Sequence, residues 1–447
     1  MKEFTEILLL TLSSDLADKF KASVDSLRWA DTSFEVASDG EQAAESFRSS
    51  LPGTLIILDW NMGEIAIVHL LDKVLAENRL DSQPIIMVAD DADDKMLGVC
   101  YEYRVASVHT ADFEVEILAE LIRTTAEREQ GVATVRGAIE KAHQNIKSGK
   151  KAEASGDLHD LVQQGLDHQH MLRCELAEIY IADDKWEKAK VLLEPVETDK
   201  QWTVRALHLL GRVRMKLGDF KGAVAVFEKA KLINPYNVDR LLALGQAFVS
   251  QNKFAEAQEN FDEALDLEPE NEAVVAASTT CKLIDGDIND ALATMRQIKS
   301  PRSIASIFNT SAVLAMRNKE FQKGMKLYEM ALKIIGDQEA EIAARLWFNK
   351  GIGYTRQKVK DQALAAFAKA TELDPSFSKA GQYVAVLGGG PSSAQEEAAP
   401  VDDIQDDLFG DSADSSSVDT GIDLDGSSEM SLGLGDEDDD DDVFSLV

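Results

Sequence analysis

The sequence predicts an α/β doubly wound five-stranded parallel sheet, then an all-α solenoid of repeats, then a disordered acidic tail. Three observations carry this prediction. Short apolar runs alternate with amphipathic stretches over residues 1–128, a 34-residue period takes over at His170, and beyond Gly388 the chain turns to Gly, Ser, Asp and Glu. The first pattern describes strands buried on both faces of a parallel sheet. The second describes stacked helical hairpins. The third leaves too little apolar area to offset the entropy of ordering.

Taken in order, the apolar runs are Glu6–Leu12, Phe34–Ala37, Thr54–Asp59, Pro84–Ala89 and Ala106–Thr110. Between and after them lie helical patterns at Asp15–Leu27, Glu41–Ser49, Ala66–Ala76, Asp93–Tyr103 and Phe113–Arg128. In such sheets the functional crevice lies at the carboxyl ends of the strands. Residues 129–169 read as a polar helical connector, broken at Gly149-Lys150 and Ser155-Gly156. Blocks of 34 residues then begin at His170, Val204 and Val238. Gly211 and Gly245, Ala223 and Ala257, Phe227 and Phe261, Ala230 and Ala264, and Pro235 and Pro269 recur at that spacing.

This pattern resembles the tetratricopeptide repeat, a helix–turn–helix unit. In that family small residues at positions 8, 20 and 27 let the two helices approach, and an aromatic at 24 fills the gap. The first block carries Ala177, Tyr180 and Ala189. A degenerate fourth, from Glu272, has Thr279 where Gly is usual, and a fifth starts at Ala305. The sixth is a full match, with Trp347, Gly351, Tyr354, Ala363, Phe367, Ala370 and Pro375. A helix over Ser378–Leu387 would cap the stack. The resemblance spans 170–387 and implies a groove for a peptide or partner helix, lined by the first helix of each repeat. Groove candidates are Arg205, His208, Arg212 and Lys216, spaced to share one helix face, with Arg345, Asn349 and Arg356 in the sixth repeat and apolar Leu242 and Val249 in the third. A basic stripe suits carboxylates, and Arg suits bidentate contact. The alternative is a solvated polar face.

Residues 1–128 resemble a response-regulator receiver, the phosphoryl-accepting module of two-component signalling. Asp59-Trp60-Asn61-Met62 ends the third strand, where receivers place the acceptor Asp. The rest of that family's site is degenerate. Thr11 and Leu12 stand for the acidic pair that holds Mg²⁺, Ala89 for the hydroxyl residue, Ala111 for the lysine and Val108 for the aromatic switch residue. Hard Mg²⁺ wants carboxylate oxygens, and phosphoryl transfer needs its charge compensated. The resemblance therefore implies a pseudo-receiver. Asp59 is either a residual phosphoryl acceptor or a leftover acidic residue at a strand end. Receivers pair through a face corresponding here to Asp93–Tyr103, Ala106–Thr110 and Phe113–Arg128, which offers a route to a homodimer.

Acids outnumber bases 80 to 46 for a net charge of −34, and 19 of the acids lie in residues 380–447, which hold no Lys or Arg. This balance argues against nucleic-acid binding. Cys100, Cys174 and Cys281 lie far apart, giving neither a disulfide framework nor a metal motif. No apolar run reaches the length of a membrane span. A cytoplasmic, non-enzymatic bacterial signalling adaptor is the expectation, with no cofactor or metal and with protein partners. A phosphorylation-responsive regulator, Asp59 as acceptor and the array as output, is the alternative. The tail sets apolar residues behind carboxylates, as in Asp406-Asp407-Leu408-Phe409, so it can dock in its own groove, dock on a partner, or merely solubilise.

Overall fold

A computed structural model describes residues 4–38, 42, 54–63, 67–68, 70–71, 83–103, 105–110, 113–164, 169–195, 203–336 and 339–388. All of the expected helix at 41–49 but Gln42, most of that at 66–76 and the acidic tail beyond 388 lie outside these residues. Five parallel strands form one sheet: β1 (Glu6–Leu10), β2 (Ser33–Ala37), β3 (Thr54–Asp59), β4 (Ile85–Ala89) and β5 (Ser107–Thr110). Their order is β2-β1-β3-β4-β5, that of flavodoxin-like doubly wound sheets.

The apolar runs sort by parity, because successive strand residues face opposite sides. Ile7, Leu9, Leu55, Ile57, Ile86 and Val88 point to one side, where they meet Leu16, Phe20 and Val24 of α1 (Ser14–Leu27). Leu8, Leu10, Ile56, Leu58, Ile85 and Met87 point to the other, against Met96, Val99 and Cys100 of α2 (Asp94–Glu102). Burial on both faces explains why the strands are unbroken apolar runs rather than alternating ones.

The helix closing the first face does not stop near 128. α3 runs from Val115 to Lys147, 33 residues or about 50 Å, straight across the expected boundary. Leu118, Ile122 and Ala126 cover the sheet. Val135, Ile139 and Ala142, further along the same helix, belong to the core of the helical part. Gly149, with φ +77°, breaks the chain before α4 (Lys151–Gln163). The expected break at Ser155-Gly156 is absent, because both residues sit inside α4.

Among the described residues six helix pairs and a terminal helix follow. They are α5 (Gln169–Ala182) and α6 (Trp186–Leu193), α7 (Thr203–Lys216) and α8 (Phe220–Ile233), α9 (Val238–Ser250) and α10 (Phe254–Leu267), α11 (Glu272–Asp285) and α12 (Ile288–Met295), α13 (Pro301–Arg317) and α14 (Phe321–Ile335), α15 (Ala340–Arg356) and α16 (Lys360–Leu373), and α17 (Ser378–Leu387). Each first helix packs on its own second helix, and each second helix packs on the next first helix except at α13, which packs instead on the preceding first helix α11. The connector obeys the same scheme: α4 packs on α3 and on α5, and α3 reaches α5. Its second half is therefore a further unit of the solenoid, and α3 belongs to both halves of the molecule.

A three-residue rule explains the stacking. Within each pair a small residue on the first helix is followed twelve positions later by a small residue and four later by a large one. The triplets are Ala142-Ala154-Leu158, Ala177-Ala189-Leu193, Gly211-Ala223-Phe227, Gly245-Ala257-Phe261, Thr279-Ala291-Met295, Ala312-Gly324-Tyr328 and Gly351-Ala363-Phe367. Where the first residue is Gly the third is Phe, and a Cβ on Gly351 would stand 2.7 Å from the Phe367 ring. Where the first is Ala, Leu follows twice. Tyr328 follows Ala312 only with Gly324 between, against which Ala312 O and the Met316 side chain close. Native packing density leaves no room for both a methyl and a ring at this point.

Candidate functional site

The sheet places a crevice at the switch point between β1 and β3, where the strand order reverses. A cleft of about 400 Å³ opens there, lined by Leu12, Ser13, Asp15, Asp59, Asn61, Met62, Asp90 and Phe113 among others. Asp59 is 3% exposed and both its oxygens are engaged. The Thr11 hydroxyl donates to Oδ2 at 2.6 Å, and the Asn61 backbone N–H donates to Oδ1 at 3.1 Å, capping the turn at Trp60–Met62. Thr11 is itself fixed from two further sides. Its N–H donates to Ala37 O at 3.1 Å, and its hydroxyl oxygen accepts the Ser13 N–H at 3.0 Å. One Thr thus ties the ends of β1, β2 and β3 together.

The other positions that the receiver resemblance singles out carry apolar side chains. Leu12 is 69% exposed at the mouth of the cleft, Ala89 is fully buried at the end of β4, and Val108 pairs with Met87 in register and packs on the sheet core. Ala111 lies outside the described residues. Among the described residues no three His, Cys, Asp or Glu side chains come together as a metal site would require. Asp15 and Asp90 line the cleft but are exposed. This geometry uses Asp59 as a cap. Asp59→Ala should cost about 1–2 kcal/mol by removing a cap and stranding two donors, whereas Asp59→Asn, which can keep both bonds, should cost much less; urea melts of the full chain measure both.

The second candidate is the face on which successive first helices lie side by side, from α5 to α15. The predicted basic stripe of α7 divides here. Arg205 is taken by the preceding repeat: Nη1 contacts Glu175 at 2.7 Å, and Nη2 contacts Glu178 at 2.6 Å. Glu175 also meets His143 of α3 at 3.2 Å, so the stripe's N-terminal end is an internal network joining three units. Arg212 and Lys216 are exposed, the latter with its ammonium 5.9 Å from the Trp186 ring centroid. His208 lies against Phe227, ring centroids 5.9 Å apart. Burial first, then the charges of Arg240 and Arg212, push its imidazole down to about 3.

In the last repeat, Arg345 bonds Glu341 at 3.2 Å and lies over the Phe377 ring. Arg356 is half-buried. Asn349 is 5% exposed and donates to Asn309 Oδ1 at 3.0 Å; the Tyr328 hydroxyl donates to the same oxygen at 2.8 Å. Of the apolar candidates, Leu242 is half-buried, but Val249 is 1% exposed inside the core. Val249 does not face a ligand, because α9 turns it toward neighbouring helices. Sequence reasoning passed over Glu175, Glu178 and Asn309, which bond Arg205 and Asn349 on this face, and Arg240, whose charge acts on His208. Position counting within the repeat was available for Asn309, but charge pairing across 27 or 30 residues has no local signature.

Comparison with known proteins identifies the repeat. The tetratricopeptide repeat model matches residues 204–237 and 344–377, and a second model of the same repeat matches 242–277. The chain is 22% identical over 174 residues to the general transcriptional corepressor ssn6 of Schizosaccharomyces pombe, covering 38% of this chain and 12% of that protein. It is 25% identical over 184 residues to a DnaJ subfamily C member 7 homologue of the same organism, covering 41% and 34%. The matches thus span from about a tenth to about a third of those relatives' own length. A solved tetratricopeptide repeat protein from Parabacteroides merdae aligns at 15% identity, covering 58% of this chain and 99% of that one, with a TM-score of 0.41. Among the described residues no helix is long and apolar enough to cross a membrane. The helical part of this chain contains tetratricopeptide repeats, modules that generally mediate protein–protein interaction.

Proposed function

We propose that the chain is a non-enzymatic adaptor of bacterial signalling type. It binds partner proteins on the first-helix face of the array, and its sheet domain is a receiver-like module that has exchanged phosphoryl chemistry for structure. The observation that carries this reading is the closed hydrogen-bonding of Asp59. A phosphoryl acceptor must offer a carboxylate oxygen in line with the donor and have a cation to take up the developing charge. Here Thr11 and Asn61 hold the two oxygens, and Thr11 occupies the place of the metal-binding acid. The 2-1-3-4-5 strand order supports the receiver-like part of the proposal.

On the array, Arg212 and Lys216 favour a partner segment that mixes carboxylates with apolar side chains, since Leu242 and Trp186 lie on or beside the same face. The chain's own acidic tail has that composition, which makes docking in cis part of the proposal. Binding of a peptide spanning 391–447 to a tail-deleted chain should weaken steeply between low and high salt. No binding at low salt removes the tail from the account. The adaptor reading itself is tested by titrating acetyl phosphate and Mg²⁺ while following tryptophan emission, Trp60 being next to Asp59. The expected result is no saturable Mg²⁺-dependent change. A saturable change abolished by Asp59→Ala would instead establish the phosphorylation-responsive regulator.

A further inference from the structure

The sheet domain touches the array a second time, through α2. Glu102, the last residue of α2, reaches the junction between α8 and α9. Three side chains of that junction converge on its carboxylate. Asn234 Nδ2 donates to Oε2, Asn237 Nδ2 donates to Oε1 at 2.9 Å, and Arg240 Nη2 donates to Oε1 at 2.5 Å.

The cradle is held by bonds that do not involve Glu102. Asn234 Oδ1 accepts the Tyr236 N–H at 3.0 Å, and Asn237 Oδ1 accepts the Arg240 N–H at 2.7 Å as the cap of α9. With both amide oxygens fixed by backbone donors, both NH₂ groups must face outward. Arg240 is 1% exposed and its Nη1 is held by Asn234 O at 2.7 Å. A guanidinium buried this deeply needs an anion, and Glu102 is the anion present.

The surrounding contact is close and apolar. Tyr236 packs on the core of the sheet domain, and Tyr101 and Ile233 pack on the core of the first repeats. At the centre, Gly98 lies directly on the backbone of α8. A Cβ there would overlap the Ile233 carbonyl oxygen, which no rotamer change can move.

We propose that Asn234, Asn237 and Arg240 form a carboxylate cradle on the array that holds the sheet domain shut through Glu102. The α2 surface is part of the face on which receiver-like domains would pair, so the latch closes it to a second copy. The two halves then move as one body, joined by α3 and by the Glu102 contact.

Two single variants of the full chain open the latch by unrelated means. Glu102→Lys sets a cation against Arg240. Gly98→Ala leaves every charge in place, favours helix within α2, and wedges the surfaces apart. Amide hydrogen exchange should show protection of 94–102 and of 233–240 falling together, at least tenfold, in both variants. Strand β3 and the α10 helix should stay within twofold of the parent, and the radius of gyration from small-angle scattering should rise. Unchanged exchange in either variant overturns the proposal. So does loss of protection in β3, because α2 would then be needed for the sheet itself rather than for docking.

Discussion

Phe261→Ala should destabilise the array by about 3–5 kcal/mol, the usual cost of deleting a fully buried aromatic side chain. Phe261 is 0% exposed, and its ring lies over Gly245 of the paired helix. The informative experiment is a double-mutant cycle. Gly245→Ala alone puts a methyl into the ring and should cost about 1–3 kcal/mol by overpacking. In a Phe261→Leu background the same methyl should cost far less, because Ala with Leu is the combination at Ala142 and Leu158 and at Ala177 and Leu193. Chemical denaturation of the four proteins yields a coupling energy. A value near zero would show that the glycine is kept for backbone reasons and that the triplet rule is not one of volume.

That rule marks where the sequence was legible and where it was not. The repeat phase was visible because Gly, Phe and Pro recur at a fixed period, and these residues stand out against an average composition. The unit formed by α3 and α4 obeys the same packing with Ala142, Ala154 and Leu158, residues too common in any helix to announce a repeat. It reads as a connector until the helices are seen stacked. The five strands were legible for a related reason: runs such as Leu55–Leu58 are apolar throughout because both faces are covered.

The crevice was half legible. That no carboxylate stands at Thr11 or Leu12 is plain from the sequence, but the role of Thr11 is not. Its bond to Asp59 joins residues 48 apart and depends on two strand ends meeting. The groove stripe suffered the opposite error. Four basic side chains on one helix face looked like a ligand surface, yet Arg205 answers Glu175 and Glu178 of the neighbouring repeat. Helical spacing says which side chains share a face. It does not say which are already paired across to the next helix, and in a solenoid that neighbour is always present.

Acidification should weaken the array through His208. Its imidazole is held neutral in the folded protein, its pKa pushed down to about 3, first by burial and then by Arg240 and Arg212. In the unfolded chain it titrates near 6.5. Below that value the unfolded state takes up a proton that the folded state refuses, so folding stability falls as pH drops from 6.5 toward 3 and is fully present above 6.5. Between pH 7 and pH 5 the loss from this one group is about 2 kcal/mol. Most carboxylates stay ionised over that range, which separates the effect from general acid denaturation. Urea melts at pH 7, 6 and 5 should show it in the parent. His208→Leu, which sets an apolar side chain against Phe227 and has nothing to protonate, should flatten the profile and be the more stable protein at pH 5. A parent and variant that lose stability in parallel would mean that His208 is charged in the fold, with its proton held by a group beside the groove.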